Sequence, residues 1–186
     1  MKLLIIGATG NIGRLVTPQL AERHEVITAG KTSGDVLADI SSASSITSLF
    51  ERVQQIDACI CLAGDSYTGS LTDMTDDDLN LGISHKLLGQ VNLVRMGLPY
   101  LSDGGSFTLI SGKMGDKPSL NAAGKAMVNG AVNSFVLAAS LEMPRDIRIN
   151  VVSPAKVADV PIQDLVDAFL KSIEGTANGE ILRVNY

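Results

Sequence analysis

Residues Lys2–Arg14 read KLLIIGATGNIGR, and this stretch decides the fold. An apolar run, Leu3, Leu4, Ile5 and Ile6, leads into three glycines, Gly7, Gly10 and Gly13. Residues at helical spacing follow: Ile12, Leu15, Val16 and Leu20. Strand, glycine-rich turn, helix is the order in which a parallel α/β sheet builds a dinucleotide phosphate site. Gly7 lets the chain turn off the strand end. Gly10 removes a side chain where backbone must approach a pyrophosphate, and Gly13 lets the helix pack close to the sheet. The amides of the first helical turn, with the positive end of the helix dipole, then face the phosphates. The plainer reading is a glycine-rich turn with no ligand. The position of the triplet, between a strand and a helix, favours the binding site.

Outward from this unit, strand-like runs alternate with helical patterns. Further strands are expected at Glu25–Ala29, Val36–Ile40, Asp57–Ala63, Ser106–Ile110, Ile147–Val152 and Glu180–Val184. Helices are expected from about Ile12 to Arg23, along Ile46, Leu49, Phe50 and Val53, from Thr75 to about Leu98, from Asn121 to Glu142, and over Ile162–Ile173. Gly30–Gly34 and Gly104-Gly105 read as turns. Thr75 followed by Asp76, Asp77 and Asp78 reads as an N-cap with an acidic first turn, which explains the triplet without a metal. Strands separated by helices imply right-handed crossovers and a parallel sheet covered on both faces. The expected fold is one α/β domain over residues 1–186, a doubly wound parallel sheet of about seven strands with helices on both faces.

Bulk properties narrow the function classes. The 186 residues carry 15 Lys and Arg against 20 Asp and Glu, a net charge of −5, with no basic run. That argues against nucleic acid or anionic membrane as partners, and the absence of Trp argues against an aromatic stacking platform. The four-residue N-terminal apolar run is too short for a signal sequence or a membrane span, so a cytoplasmic protein is expected. Cys59 and Cys61 alternate in a strand pattern and read as small core residues rather than a redox or metal pair, since no further Cys completes a site.

Six features in order resemble the short-chain dehydrogenase/reductase family over nearly the whole chain. They are GATGNIG (Gly7–Gly13), LAG (Leu62–Gly64), LISG (Leu109–Gly112), Lys125, RINVVSP (Arg148–Pro154) and GEILRV (Gly179–Val184). More narrowly, the chain looks like a compact bacterial subgroup with a shortened C-terminal part and without the usual catalytic Tyr. The resemblance implies a Rossmann fold and a nicotinamide cofactor. It places Gly7, Gly10, Asn11, Ile12, Gly13 and Arg14 at the phosphates, Asp39 and Ile40 beside the adenine, and Ala63 and Gly64 against its ribose. Lys125 falls at the nicotinamide ribose, with Pro154 also on the cofactor.

Cofactor choice is also legible from charge. A carboxylate at the end of the second strand normally binds the ribose 2′-hydroxyl of NAD. Here that end reads Thr28-Ala29-Gly30-Lys31, with a cation instead, and Arg14 follows the third glycine. This pair suits a 2′-phosphate, so NADP is expected over NAD. The plain alternative is a solvated surface pair.

The catalytic set implied by the resemblance is incomplete. The family uses a Tyr four residues before the Lys, but Asn121 stands there, and an amide does not titrate at neutral pH. Ser111 lies near the family's Ser, whose register also allows Gly112, and Lys86 falls at the position of a supporting Asn. Of the three tyrosines, Tyr67 has the best chance of reaching the pocket, with Tyr100 at a helix end and Tyr186 at the C-terminus. The lid region is reduced to Ala155–Pro161, which leaves few specificity contacts.

Two functions are therefore carried forward. One is an NADP-dependent oxidoreductase for a small carbonyl or alcohol, in which Lys125, Lys86 or Lys113 replaces the phenol as proton donor and Ser111 polarises the carbonyl. The other is a catalytically degenerate NAD(P)-binding protein that acts as a redox sensor or interaction scaffold. Small residues on several faces of the expected Asn121–Glu142 helix (Ala122, Ala126, Gly130, Ala131, Ala138 and Ala139), which forms a dimer core in the resembled family, suggest a homodimer or homotetramer.

Overall fold

A computed structural model describes residues 1–186. Seven strands form one sheet: β1 (Lys2–Ile6), β2 (Glu25–Gly30), β3 (Val36–Leu37), β4 (Ile56–Cys61), β5 (Leu101–Ile110), β6 (Arg148–Pro154) and β7 (Ile181–Val184). Their order is β3-β2-β1-β4-β5-β6-β7, and every neighbouring pair is parallel. The chain reverses direction across the sheet between β1 and β4, so the C-terminal ends of these strands form the crevice where such folds bind ligands.

Helices cover both faces. On one side α2 (Ala43–Val53), α4 (Gly89–Gly97) and α5 (Ala123–Ala139) bury Ile46, Phe50, Leu93, Val132 and Val136 against the sheet. On the other, α1 (Gly13–Ala21) and α6 (Ile162–Glu174) bury Val16, Leu20, Leu165 and Phe169. The β-branched and leucine runs of β1 and β4 are sealed from both sides, as a parallel sheet requires. Cys59 and Cys61 belong to this interior. Burial raises both thiols, that of Cys61 to about 12, so neither is a reactive thiolate.

Four expectations about elements need correction. First, β3 is only Val36–Leu37 rather than Val36–Ile40; the expected polar turn does join it to β2, through residues 31–35 alone and with no helix, although parallel neighbours usually need a crossover of a dozen residues or more. Gly34, at φ +124°, lets this connector fold back so closely that a Cβ there would lie 3.0 Å from the Thr28 carbonyl oxygen. Asp35 fastens it by accepting hydrogen bonds from the Thr28 amide and hydroxyl, both at 2.8 Å. β3 is correspondingly short, and Ala38–Ile40 leave the sheet. Second, Gly104 and Gly105 do not precede β5 but lie inside it, where its pairing with β4 shifts register between Ile56 and Ala58.

Third, the segment from Thr75 to Leu98 is three pieces: α3 (Asp76–Leu81), a π-helical turn (Gly82–Leu88) and α4. Thr75 and Asp78 form the capping box that starts α3. Fourth, α5 begins only at Ala123, after Asn121 at φ +61°. No helix is long and apolar enough to cross a membrane.

Candidate cofactor and active site

A cleft of about 1180 Å³ lies along the C-terminal ends of the central strands. Gly7 leaves β1 at φ +84°, where a side chain would strain the backbone and crowd Ala63 at 2.9 Å. A Cβ on Gly13 would come within 2.2 Å of the Gly7 carbonyl, so α1 can start beneath the turn only from a glycine. Gly7, Gly10, Asn11, Ile12 and Arg14 line the cleft; Gly13 does not, since its part is to bring the helix close. The Arg14 amide donates to the Gly10 carbonyl and those of Leu15 and Val16 to Ile12, which leaves the amides of Asn11, Ile12 and Gly13 without backbone partners at the helix start, where an anion is favoured.

One end of the cleft, where the sequence reading expects the adenosine, is built by the short connector. Lys31, Thr32 and Ser33 line it, with Ala38, Asp39 and Ile40 opposite. Ile40 is buried and packs against Gly89, so it offers a flat apolar wall. Lys31 Nζ lies 2.8 Å from Asp39 Oδ2. That hydrogen bond, with two more from Ser41, holds the Asp39 carboxyl well below the usual carboxylate range. Arg14 has no carboxylate partner. Across β4, Ala63 and Gly64 complete the wall.

The other half of the cleft holds Lys86, Ser111, Lys113, Asn121, Lys125, Asn129, Pro154 and Lys156. Lys86 stands on the π-helical turn and is 7% exposed. Its Nζ donates to the Ser111 carbonyl at 3.3 Å. Gly64, at φ +137°, is what makes room for it: a Cβ there would meet Lys86 Cγ at 3.0 Å and Cα at 3.1 Å. Burial, helped by the positive charge of Lys125 and opposed by Cys61 and Asp65, brings the Lys86 ammonium down to about 8.

Ser111 is in the cleft wall, but its hydroxyl is sealed from solvent and has no hydrogen-bond partner. What it gives its neighbours is the main-chain carbonyl on Lys86. Asn121 lies in the loop ahead of α5 and is exposed, so no titratable group stands at that position. Tyr67 does not line the cleft; its hydroxyl turns to the Ser70 carbonyl at 3.4 Å. Tyr186 is held away on Ser153 and Asp116.

Asn129 was not singled out from the sequence. It is 4% exposed, lines the cleft, and its Oδ1 has no partner. Its signal is the i+4 spacing from Lys125, which puts both on one face of α5.

The family model described as enoyl-(acyl carrier protein) reductase matches residues 11–182. Among solved structures, the protein lin1944 from Listeria innocua is 42% identical over the whole of both chains, with a TM-score of 0.95. A small-chain dehydrogenase is 28% identical over 99% of this chain and 95% of its own, at 0.89. Another, solved in complex with NADPH, is 25% identical over 99% and 96%, also at 0.89. No curated protein sequence matches. The glycine turn, the parallel seven-stranded order and the match over nearly the full length agree: the chain belongs to the short-chain dehydrogenase/reductase family.

Proposed function

We propose that the protein is an NADP-dependent oxidoreductase that interconverts a small carbonyl compound and its alcohol, with Lys86 as the proton donor. The observation that carries this reading is Lys86 itself: a buried ammonium, lowered to about 8, beside Lys125 in the cleft that the glycine turn opens. A general acid works best when its pKa is near the working pH, and Lys86 meets that condition without a phenol.

When bound, the reduced nicotinamide supplies the hydride that adds to the carbonyl carbon. The protein's share is to orient and to protonate. Lys125 holds the nicotinamide ribose, and the glycine turn holds the pyrophosphate. Ser111 fixes the Lys86 ammonium through its carbonyl, and Lys86 Nζ passes a proton to the developing alkoxide. The neutral amine then recovers its proton from solvent. Arg14 and Lys31 support the preference for a 2′-phosphate.

Asn121 favours a second reading, an NADP-binding sensor or scaffold without turnover, because its amide cannot replace the phenol. Titration of NADPH and NADH, followed by a panel of carbonyls and quinones, separates the two. The protein has no Trp, so nicotinamide fluorescence is read without indole background. Turnover above that of Lys86→Met supports the enzyme; NADPH binding with no turnover above that variant supports the sensor. A homodimer or homotetramer is also proposed, from the half-exposed Leu88, Met127 and Leu137 on the α4 and α5 side. Light scattering on the eluted protein tests it, and a monomer at all concentrations refutes it.

A further inference from the structure

Six cations line the cleft (Arg14, Lys31, Lys86, Lys113, Lys125 and Lys156) against two carboxylates, Asp39 and Asp65. The whole chain has the opposite balance, with a net charge of −5. Cations are thus gathered into one concavity of an acidic protein, the arrangement that focuses a field on anions.

Part of this charge is accounted for by the dinucleotide. Lys31 is neutralised by Asp39, Arg14 belongs to the adenosine side, and Lys125 and Lys86 have the roles given above. Lys113 and Lys156 remain. Neither has a carboxylate within ion-pair distance. Lys113 follows the end of β5 and Lys156 the end of β6, and these strands are hydrogen-bonded neighbours with Ile110 opposite Val152. The sheet order puts them two and three strands from β1, roughly 10–15 Å from the glycine turn at ordinary strand spacing. Both thus follow strands that lie beyond β4 from the glycine turn.

The Lys113 ammonium lies 5.9 Å from the centre of the Tyr186 ring, which steadies it at the cleft edge. Asp116, the nearest acid on that loop, does not line the cleft. It is engaged by Arg183 at 2.7 Å and by the Tyr186 hydroxyl at 3.1 Å. Two ammonium groups without ion-pair partners thus follow the ends of neighbouring strands and line the same cleft as Lys86. The buried Asn129 side chain, which lines the same cleft, has an unpartnered oxygen.

Resting on the oxidoreductase reading, we infer that the substrate is a small oxo acid: a carbonyl compound whose own acid group is held between Lys113 and Lys156. The acid group takes no part in bond changes. It orients the carbonyl toward Lys86 and fixes specificity in place of the reduced lid.

The test compares matched acids and neutral esters with NADPH: 2-oxobutanoate against its methyl ester, and acetoacetate against methyl acetoacetate. A further pair, dihydroxyacetone phosphate against dihydroxyacetone, tells a carboxylate from a phosphate. The expected result is kcat/KM at least about tenfold higher for an acid than for its neutral partner. Lys113→Gln and Lys156→Gln should each cut that preference several-fold, through KM. Lys117→Gln, outside the cleft, should leave it intact.

Equal turnover of acid and neutral partner overturns the inference, as does a preference that survives both variants. If NADPH binds but nothing turns over, the oxidoreductase reading fails by itself. The anion site is then read by thermal shift of the NADP-loaded protein with malonate against dimethyl malonate. Stabilisation by malonate alone, lost in the double variant, upholds the site; no difference overturns it.

Discussion

Lys31 Nζ and Asp39 Oδ2 lie 2.8 Å apart across the mouth of β3, so this end of the cleft, proposed above for the adenosine, holds a neutral pair and one free cation, Arg14. A 2′-phosphate beside a bare Asp39 would be repelled, and Lys31 cancels that repulsion. Arg14→Gln should therefore weaken NADPH about tenfold, the worth of one charge-assisted hydrogen bond, and NADH hardly at all. Lys31→Ala should act in the same direction by unmasking Asp39, and Asp39→Asn should tighten NADPH. Fluorescence titrations of both nucleotides check this. Equal losses for the two nucleotides in Arg14→Gln would remove the argument for NADP.

Gly64→Ala tests how Lys86 is housed. The new Cβ would lie 3.0–3.1 Å from Lys86 Cγ, Cα and Cβ, at a φ of +137° that side chains rarely adopt. A cost of about 1–3 kcal/mol is expected, from strain and contact together. Part of the contact is with the Lys86 side chain beyond Cβ. In a Lys86→Ala background the same substitution should therefore cost less, and the two effects should not add. Strict additivity in thermal or urea unfolding would mean that Gly64 and Lys86 do not share the space.

The glycine turn and the parallel sheet were legible in the sequence because their requirements are local. Gly7 needs a positive φ, Gly13 needs no Cβ, and apolar runs bounded by turns mark buried strands. The turn at Gly30–Gly34 is legible too, but its tight closure, beside a β3 of only two residues, depends on Asp35 reaching back to Thr28, a contact that periodicity does not encode. Gly104 and Gly105 read as a turn in the sequence because the register shift that accommodates them belongs to β4 as much as to β5. The state of Lys86 was out of reach for the same reason. It depends on a π-helical turn, on the space left by Gly64 and on the Ser111 carbonyl, three separate segments that meet only in the folded chain.

Tyr186→Phe tests the attachment of the C-terminus to the cleft wall. The Tyr186 hydroxyl lies 2.5 Å from Ser153 Oγ and 3.1 Å from Asp116 Oδ2, and Ser153 is fully buried. Removing the hydroxyl leaves the buried Ser153 short of a partner, at a cost of about 1–2 kcal/mol, or several degrees in Tm. The ring stays, so Lys113 keeps its cation–π contact and NADPH affinity should not change. A fall in NADPH affinity as large as the fall in stability would place the tail in the cofactor site instead.

Lys86→Met should separate stability from activity. Lys86 titrates at about 8 in the folded chain, against about 10.4 when unfolded, so the unfolded state holds the proton more tightly. The charged form therefore costs stability in full below about pH 8, and stability recovers as pH rises from about 8 to 10.4. At pH 7 the penalty is on the order of 3 kcal/mol, partly offset by the hydrogen bond to Ser111. Met fills the same space without a charge, so the variant should melt several degrees higher at pH 7 and lack the alkaline recovery. Its carbonyl reduction should fall at least about a hundredfold, the usual worth of a positioned acid. In the parent protein, reduction should decline as pH rises through about 8, where Lys86 loses the proton it must donate. A variant less stable than the parent at pH 7, with an unchanged pH profile, would show that Lys86 is a structural residue and that the proton comes from elsewhere.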